Sequence, residues 1–282
     1  MNKRIRFISI IIIGIILLSI FSYISYKLYN NYLITKFITE QKELQINYNK
    51  EDIALIEEDI KDIKEIKNDN LIELIAGCES DRDVKNKNIE DLMKIKDNKN
   101  ILNELIKQNE NSIIVYDDLY KGNILIFNRR EKIFKSIIKR FEYNIQTWDN
   151  YLKNKHYIYY DMSEVDRFLI NEYKDTNEYI SDSIMLERER TLKRFKANSK
   201  KIIQLQEQSK NINNIISKSS ADIRILFEKY LSTINIIISK LEEINSLDEK
   251  DLDVQKEVLK TVEEYKNKLF EVREFLEKKM YK

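Results

Sequence analysis

The sequence predicts an all-α protein, with a single N-terminal transmembrane helix followed by an elongated multi-helix bundle containing coiled-coil-like stretches. Three observations carry that prediction. The 282 residues include no proline and three glycines, Gly14, Gly77 and Gly122, whereas a sheet protein of this size needs turn residues at short intervals. Apolar residues recur at three- and four-residue steps through most of the chain, the period of one helix face. Residues 7–24, FISIIIIGIILLSIFSYI, hold no charge, and Arg6 and Lys27 are the nearest on either side. That interval is long enough to cross a bilayer as one helix.

The predicted organisation is a cytoplasmic tail at 1–6, an anchor helix at 7–26, an acidic helical stalk at 27–75 and a helical-bundle ectodomain at 76–282. Lys3, Arg4 and Arg6 precede the apolar run while Lys27 and Lys36 follow it, a bias toward an N-terminus inside and a body outside. Tyr23, Tyr26, Tyr29 and Tyr32 suit an aromatic belt where the helix leaves the membrane. A cleavable signal peptide fits less well, because the end of the run offers Phe21, Ser22, Tyr23, Ile24 and Ser25 with no alanine for the cleavage site. Leu74-Ile75-Ala76-Gly77-Cys78 has the look of a lipoprotein box. It lies some fifty residues past the apolar run, behind Asp69 and Glu73, and reads instead as a helix end at a glycine-containing turn.

After the anchor the pattern is helical and acidic. Ile46, Ile53 and Ile60 fall seven apart, with Ile56 and Ile63 between them, and form a short heptad seam. Asn49 takes a seam position and is placed to fix register. The stretch 76–88, AGCESDRDVKNKN, reads as a break, after which Ile89, Leu92, Met93, Leu102, Leu105 and Ile106 mark a second helix that extends toward Leu119. A turn is expected at 120–123, and 124–127 has strand propensity but no visible partner. Phe127, Phe134, Ile137, Ile138, Phe141, Ile145, Trp148 and Leu152 then give the cleanest amphipathic helix, over 124–154.

The segment 154–162 breaks that pattern. Ser163 with Asp166 resembles a capping box and starts a further helix. Val165, Phe168, Leu169, Tyr173, Thr176, Ile180 and Ile184 carry it onward, and the spacing continues to Ile244. A helix of that length invites a break, expected at 197–200 or 217–221. A turn at 245–251 precedes the last helix, marked by Leu252, Val258, Val262, Tyr265, Leu269, Val272 and Leu276.

Charge is uneven along the chain. Residues 25–120 carry 14 basic and 21 acidic side chains, 121–220 carry 20 and 13, and 221–282 carry 12 and 14. The basic excess lies in two stretches, Arg129, Arg130, Lys132, Lys135, Lys139 and Arg140, then Arg188, Arg190, Lys193, Arg194, Lys196, Lys200 and Lys201. An antiparallel hairpin about 156–162 would set Arg129 near residue 188. Eight of these, Arg129, Arg130, Lys132, Lys135, Arg188, Arg190, Lys193 and Arg194, form a candidate patch for an anionic lipid, a wall polymer or an acidic protein. The competing reading is internal compensation by Glu51, Asp52, Glu57, Glu58, Asp59 and Asp62 of the first helix. His156, Tyr157, Tyr159 and Tyr160 form a second candidate, a contact surface at the hairpin tip.

Chemistry has little to work with. One histidine and one cysteine leave no nucleophile–base pair or clustered metal site to assemble, and no phosphate-binding loop or dinucleotide fingerprint is present. Neither catalytic residues, cofactor nor metal are expected, and no motif favours nucleic acid. The expected role is a non-enzymatic, membrane-anchored envelope scaffold or interaction module with a protein partner, a second copy of the chain included. A sensory ectodomain would need a separate signalling partner, and a secreted helical toxin or adhesin would need cleavage after the apolar run.

Overall fold

The computed structural model describes residues 3–65, 72–154 and 162–280, with most side chains from residue 16 onward. Every regular element among the described residues is helical. In chain order they are α1 (Lys3–Glu65), α2 (Ile72–Lys94), α3 (Asn98–Asn154), α4 (Met162–Asp175), α5 (Asp182–Ile216) and α6 (Ala221–Met280). A single π-helical turn, Thr176–Ser181, joins α4 to α5.

Four expected interruptions are absent, each for the same reason: polar residues occupy the packing face without breaking its period. The break at 76–88 lies inside α2, where Ile75, Cys78, Arg82, Lys85, Ile89 and Leu92 keep the three–four step and are all at least partly buried. Arg82 and Lys85 fill that face with their aliphatic stems, and Lys85 Nζ reaches Asp52 of α1 at 2.6 Å. The turn at 120–123 and the strand at 124–127 both lie inside α3. There Tyr120 sits beneath the Lys240 ammonium, 5.8 Å from the ring centre. The turn at 245–251 lies inside α6.

One interruption was not foreseen. The helix read through Ile89 and Ile106 is divided at 95–97, where Asp97 accepts a hydrogen bond from the Asn100 N–H (3.0 Å) and caps α3. Of the two breaks weighed further on, the chain uses 217–220 and stays helical through 197–200. Ser219 ends α5 by donating its hydroxyl to the Ile215 carbonyl (3.0 Å) and its N–H to that of Ile216 (3.2 Å), satisfying carbonyls that the helix end leaves free. The segment 155–161 and the Ser163 side chain lie outside the description. Asp166, read as its capping partner, instead accepts from Arg273 Nε at 3.0 Å.

The chain divides into two compact units. The first comprises Met1–Ile114 and Leu205–Ile237, the second Val115–Gln204 and Ile238–Lys282. In the first unit Ile38, Leu92, Leu102, Leu105, Ile212, Phe227 and Ile234 are fully buried, and Phe37 meets Phe227 edge-on at 5.9 Å. Polar pairs interrupt this core. Asn49 is buried in the α1 seam and donates to Gln108 Oε1 on α3 (3.3 Å). Gln208 donates to both Gln41 and the Tyr230 hydroxyl. Complete burial pushes the Tyr230 phenol well above its usual range. Of the predicted seam isoleucines, Ile60 is buried and Ile46, Ile53 and Ile56 are partly so.

The second unit packs Phe134, Ile138 and Phe141 of α3 and Leu169 and Ile184 of α4 and α5 against Val258, Val262, Tyr265, Leu269, Val272 and Leu276 of α6. Phe141 stacks on Tyr265 with ring centres 4.7 Å apart. Trp148 packs against this cluster and meets Tyr151 edge-on at 5.8 Å. The π turn belongs to the same packing. Thr176 and Ser181 are both buried although five residues apart, and the Asp182 N–H bonds the Asn177 carbonyl across five residues. The wider turn brings a five-residue step onto one face.

Among the described residues no helix is long and apolar enough to cross a membrane. Residues 7–15 make up half of the apolar run, and the side chains of residues 3–15 lie outside the description. The run's backbone does not: α1 passes through the whole run as one helix. From residue 16 to residue 29 every side chain is exposed, including Leu17, Leu18, Phe21 and Tyr26.

Candidate functional site

The densest polar constellation lies in the second unit, where α3, α5 and α6 meet. It is built on a seam. Along α6 the buried positions Leu241, Ile244, Asp248, Asp251, Gln255, Val258 and Val262 alternate steps of three and four without interruption. Two aspartates and a glutamine thus occupy core positions in the middle of an apolar heptad. Buried carboxylates demand partners, and arginines from both neighbouring helices supply them.

Arg194 of α5 forks onto Asp248, with Nε donating to Oδ2 at 2.9 Å and to Oδ1 at 3.1 Å, and Nη2 also donating to Oδ1. The hydrogen bonding with Asp248 raises the Arg194 guanidinium above its ordinary range, outweighing the opposing effect of burial. Arg130 of α3 bridges two helices, with Nη2 donating to Glu187 of α5 at 2.7 Å and Nη1 donating to Asp251 of α6. Arg188 donates to the Leu252 carbonyl at 2.6 Å. Gln255 Nε2 donates to Asp251 Oδ2 at 3.0 Å. Bidentate guanidinium–carboxylate geometry is the strongest form such contacts take.

The cluster borders a cavity of about 130 Å³, lined by Asn123, Ile126, Phe127, Arg130, Glu187, Arg194, Leu247, Asp248 and Asp251. Asp251 Oδ1 and Gln255 Oε1 are buried without a hydrogen-bond partner. Burial drives the Asp251 carboxyl above the ordinary aspartate range, with the Arg130 charge and hydrogen bond pulling the other way. At the far end of the seam the Tyr265 hydroxyl donates to Glu172 Oε1 (3.1 Å) and accepts from Asn144 (3.4 Å). Burial first, and then the neighbouring Glu172 charge, push that phenol up to about 12.

The eight residues of the candidate anionic-partner patch therefore separate into two groups. Arg130 and Arg188 are half-buried, and Arg194, though itself exposed, reaches inward to Asp248; all three are engaged by α5 and α6. Arg129, Lys132, Lys135, Arg190 and Lys193 are exposed. Of these, Lys135 pairs with Glu131 (2.7 Å), Lys193 with Glu189 (3.7 Å) and Arg190 with Glu187 (4.0 Å). Such surface pairs contribute little to stability. The two basic stretches meet only at one end, at the Arg130–Glu187 contact, rather than lying side by side: Arg140 lies by Glu172 (3.7 Å) and Lys201 over the Tyr116 ring. Within the second unit the carboxylates that engage the inward-reaching arginines are Glu187 of α5 and Asp248 and Asp251 of α6, and within the first unit Asp52 of α1 pairs with Lys85 of α2. His156, Tyr157, Tyr159 and Tyr160 all lie outside the described residues.

Sequence reasoning missed Asp248 and Asp251 because NSLDEKD, 245–251, reads as a turn, and passed over Gln255 as a polar residue of the last helix. A signal was present: their spacing continues the three–four step set by Leu241 and Ile244 and resumed by Val258 and Val262. Among the described residues no group of three or more His, Cys, Asp and Glu side chains could hold a metal ion, and Cys78 is a partly buried free thiol. The cluster is chemically a clamp. Its guanidinium groups tie three helices together through paired charges. No family model, curated protein or solved structure matches this chain.

Proposed function

We propose that this chain is a single-pass, membrane-anchored helical scaffold or interaction module of a cell envelope, with its N-terminus in the cytoplasm, its body outside and no catalytic role. The observation that carries the reading is the N-terminal part of α1. Side chains from Ile16 to Tyr29 are exposed on every face of one unbroken helix, and most of them are apolar or aromatic. Soluble proteins do not leave so much contiguous apolar surface in water, and a helix apolar all round is a buried or membrane-spanning one. In the sequence the uncharged interval covers 7–26. At the usual rise it spans roughly 30 Å, the thickness of the hydrocarbon core.

The scaffold role draws support from what the rest of the chain is made of: long helices, two packed units and polar clamps that fix helix register. The direct test has two arms. Alkaline carbonate extraction should leave the full-length chain in the membrane pellet at its uncleaved mass. A periplasm-active reporter fused at the C-terminus should be active, whereas a cytoplasm-active one should not. Recovery in the carbonate supernatant, or a mature mass lacking the apolar run, would overturn the anchor. Crosslinking in intact cells that returned no specific neighbour would overturn the scaffold role.

A further inference from the structure

Two helix faces carry apolar side chains that are exposed among the described residues. On α3, Val115, Leu119, Ile126 and Ile133 follow at steps of four and seven and share one side of the helix. Each is about half exposed. Arg129 and Lys132 border this stripe, both exposed and neither in an ion pair among the described residues. On α1, Leu44, Glu51, Leu55 and Glu58 follow at steps of seven, four and three, again on one side and all exposed. Neither glutamate has an ion-pair partner among the described residues. One face is apolar and basic, with Arg129 and Lys132 between Ile126 and Ile133, and the other is apolar and acidic, with Glu51 and Glu58 on either side of Leu55.

We propose that these faces meet between copies of this chain, α1 of one molecule lying along α3 of another. Each stripe buries its apolar side chains against the other, and Arg129 and Lys132 find carboxylates at Glu51 and Glu58. Charge at the margins of a helix pair selects its partner. Two α3 faces would set like charges together, as would two α1 faces, so the mixed pairing is favoured and both self-pairings are opposed. An anionic bilayer surface would match α3 but leave the acidic α1 stripe uncovered. The pairing rests on the scaffold reading, since it names the partner that such a scaffold holds.

The test uses full-length chains carrying Cys78→Ser, two different tags and one new cysteine each, Leu55→Cys in one and Ile126→Cys in the other. Mild oxidation of cells that express both should give a disulfide-linked species bearing both tags, absent when either variant is expressed alone. R129E with K132E in the Ile126→Cys chain should abolish that species, and E51K with E58K in the Leu55→Cys chain should restore it. Failure to form the mixed species overturns the proposal, as does equal crosslinking of Leu55→Cys to itself. So does a charge reversal that leaves the crosslink intact yet lowers binding to phosphatidylglycerol vesicles, which would make a lipid surface the occupant. Circular dichroism of each purified variant separates lost pairing from lost helix. Carbonate extraction of the same cells scores the anchor independently, so a chain that stays in the membrane and does not crosslink refutes only the pairing.

Discussion

At the scale of single residues, the Arg194–Asp248 pair sets the strongest expectation. Asp248 is almost wholly buried, with 2 % of its side chain accessible, while Arg194 keeps 42 %. Removing the arginine strands a buried carboxylate, which for a fully enclosed pair costs about 3–5 kcal/mol. The partial exposure of Arg194 lowers the expected cost of Arg194→Leu to about 2–3 kcal/mol, read from urea denaturation. The double variant Arg194→Leu with Asp248→Leu should recover most of that loss, because two apolar side chains restore a consistent seam. If the double variant is as unstable as the single one, Asp248 is not the group that the arginine compensates.

Asp251 makes a second expectation, in pH. Its carboxyl is held above the ordinary value of 3.8, by burial first, so the folded chain holds this proton more tightly than the unfolded one. The contribution to stability is therefore fully present below the ordinary aspartate range and is lost as pH rises through the raised folded value. Arg130 of α3, Glu187 and Arg194 of α5, and Asp248 of α6 are the charges around it. The stability of the wild type relative to Asp251→Asn should fall as pH rises through that window, and denaturation at a series of pH values measures it. A difference that stays flat with pH would place the perturbed proton elsewhere in the cluster.

At the scale of elements, glycine gives the clearest experiment. Gly77 and Gly122 both lie within helices, and a Cβ built at either meets nothing within 4 Å. Neither is needed for a turn, so each costs helix stability through the entropy of the unfolded chain. Gly77→Ala and Gly122→Ala should each stabilise the protein by about 0.5–1 kcal/mol, visible as a rise in the denaturation midpoint. A loss at either site would mean that the glycine accommodates a close neighbour. These two residues also show where reading the sequence succeeded and failed. Helix content was legible from the three–four period and the missing prolines, while the break at 217–220 was only one of two sites that the sequence offered, 197–200 being the other. The breaks at 76–88, 120–123 and 245–251 were misread because Arg82, Lys85, Asn123, Asp248 and Asp251 sit on the packing face. A hydropathy pattern treats such residues as interruptions, whereas a helix can bury an arginine stem or a paired carboxylate without losing its period. For the same reason the basic patch was visible by composition, but the inward reach of Arg130, Arg188 and Arg194 was not. Charge sign is written in the sequence, while the identity of the compensating partner depends on which helices meet.

At the scale of the molecule, the proposed attachment to a membrane rests on one helix, and that proposal is open to direct attack. Ile16 lies near the middle of the uncharged interval, flanked by Arg6 and Lys27. An aspartate at the centre of a spanning helix costs about 2.5–3.5 kcal/mol on the insertion scale, against a gain of a few tenths for each isoleucine or leucine. Ile16→Asp alone weakens insertion, and Ile16→Asp with Ile20→Asp places two carboxylates one turn apart, where neither can reach the interface. The double variant should move from the carbonate pellet to the supernatant. Among the described residues the first buried side chain is that of Ile34, so the helical circular dichroism of the double variant should change little. A chain that lost attachment and helix together would mean that the apolar run packs against the body. Retention in the pellet would mean that a second surface holds the protein at the bilayer. Loss of attachment with the helices intact is the outcome that follows from an apolar segment whose described side chains are exposed on every face.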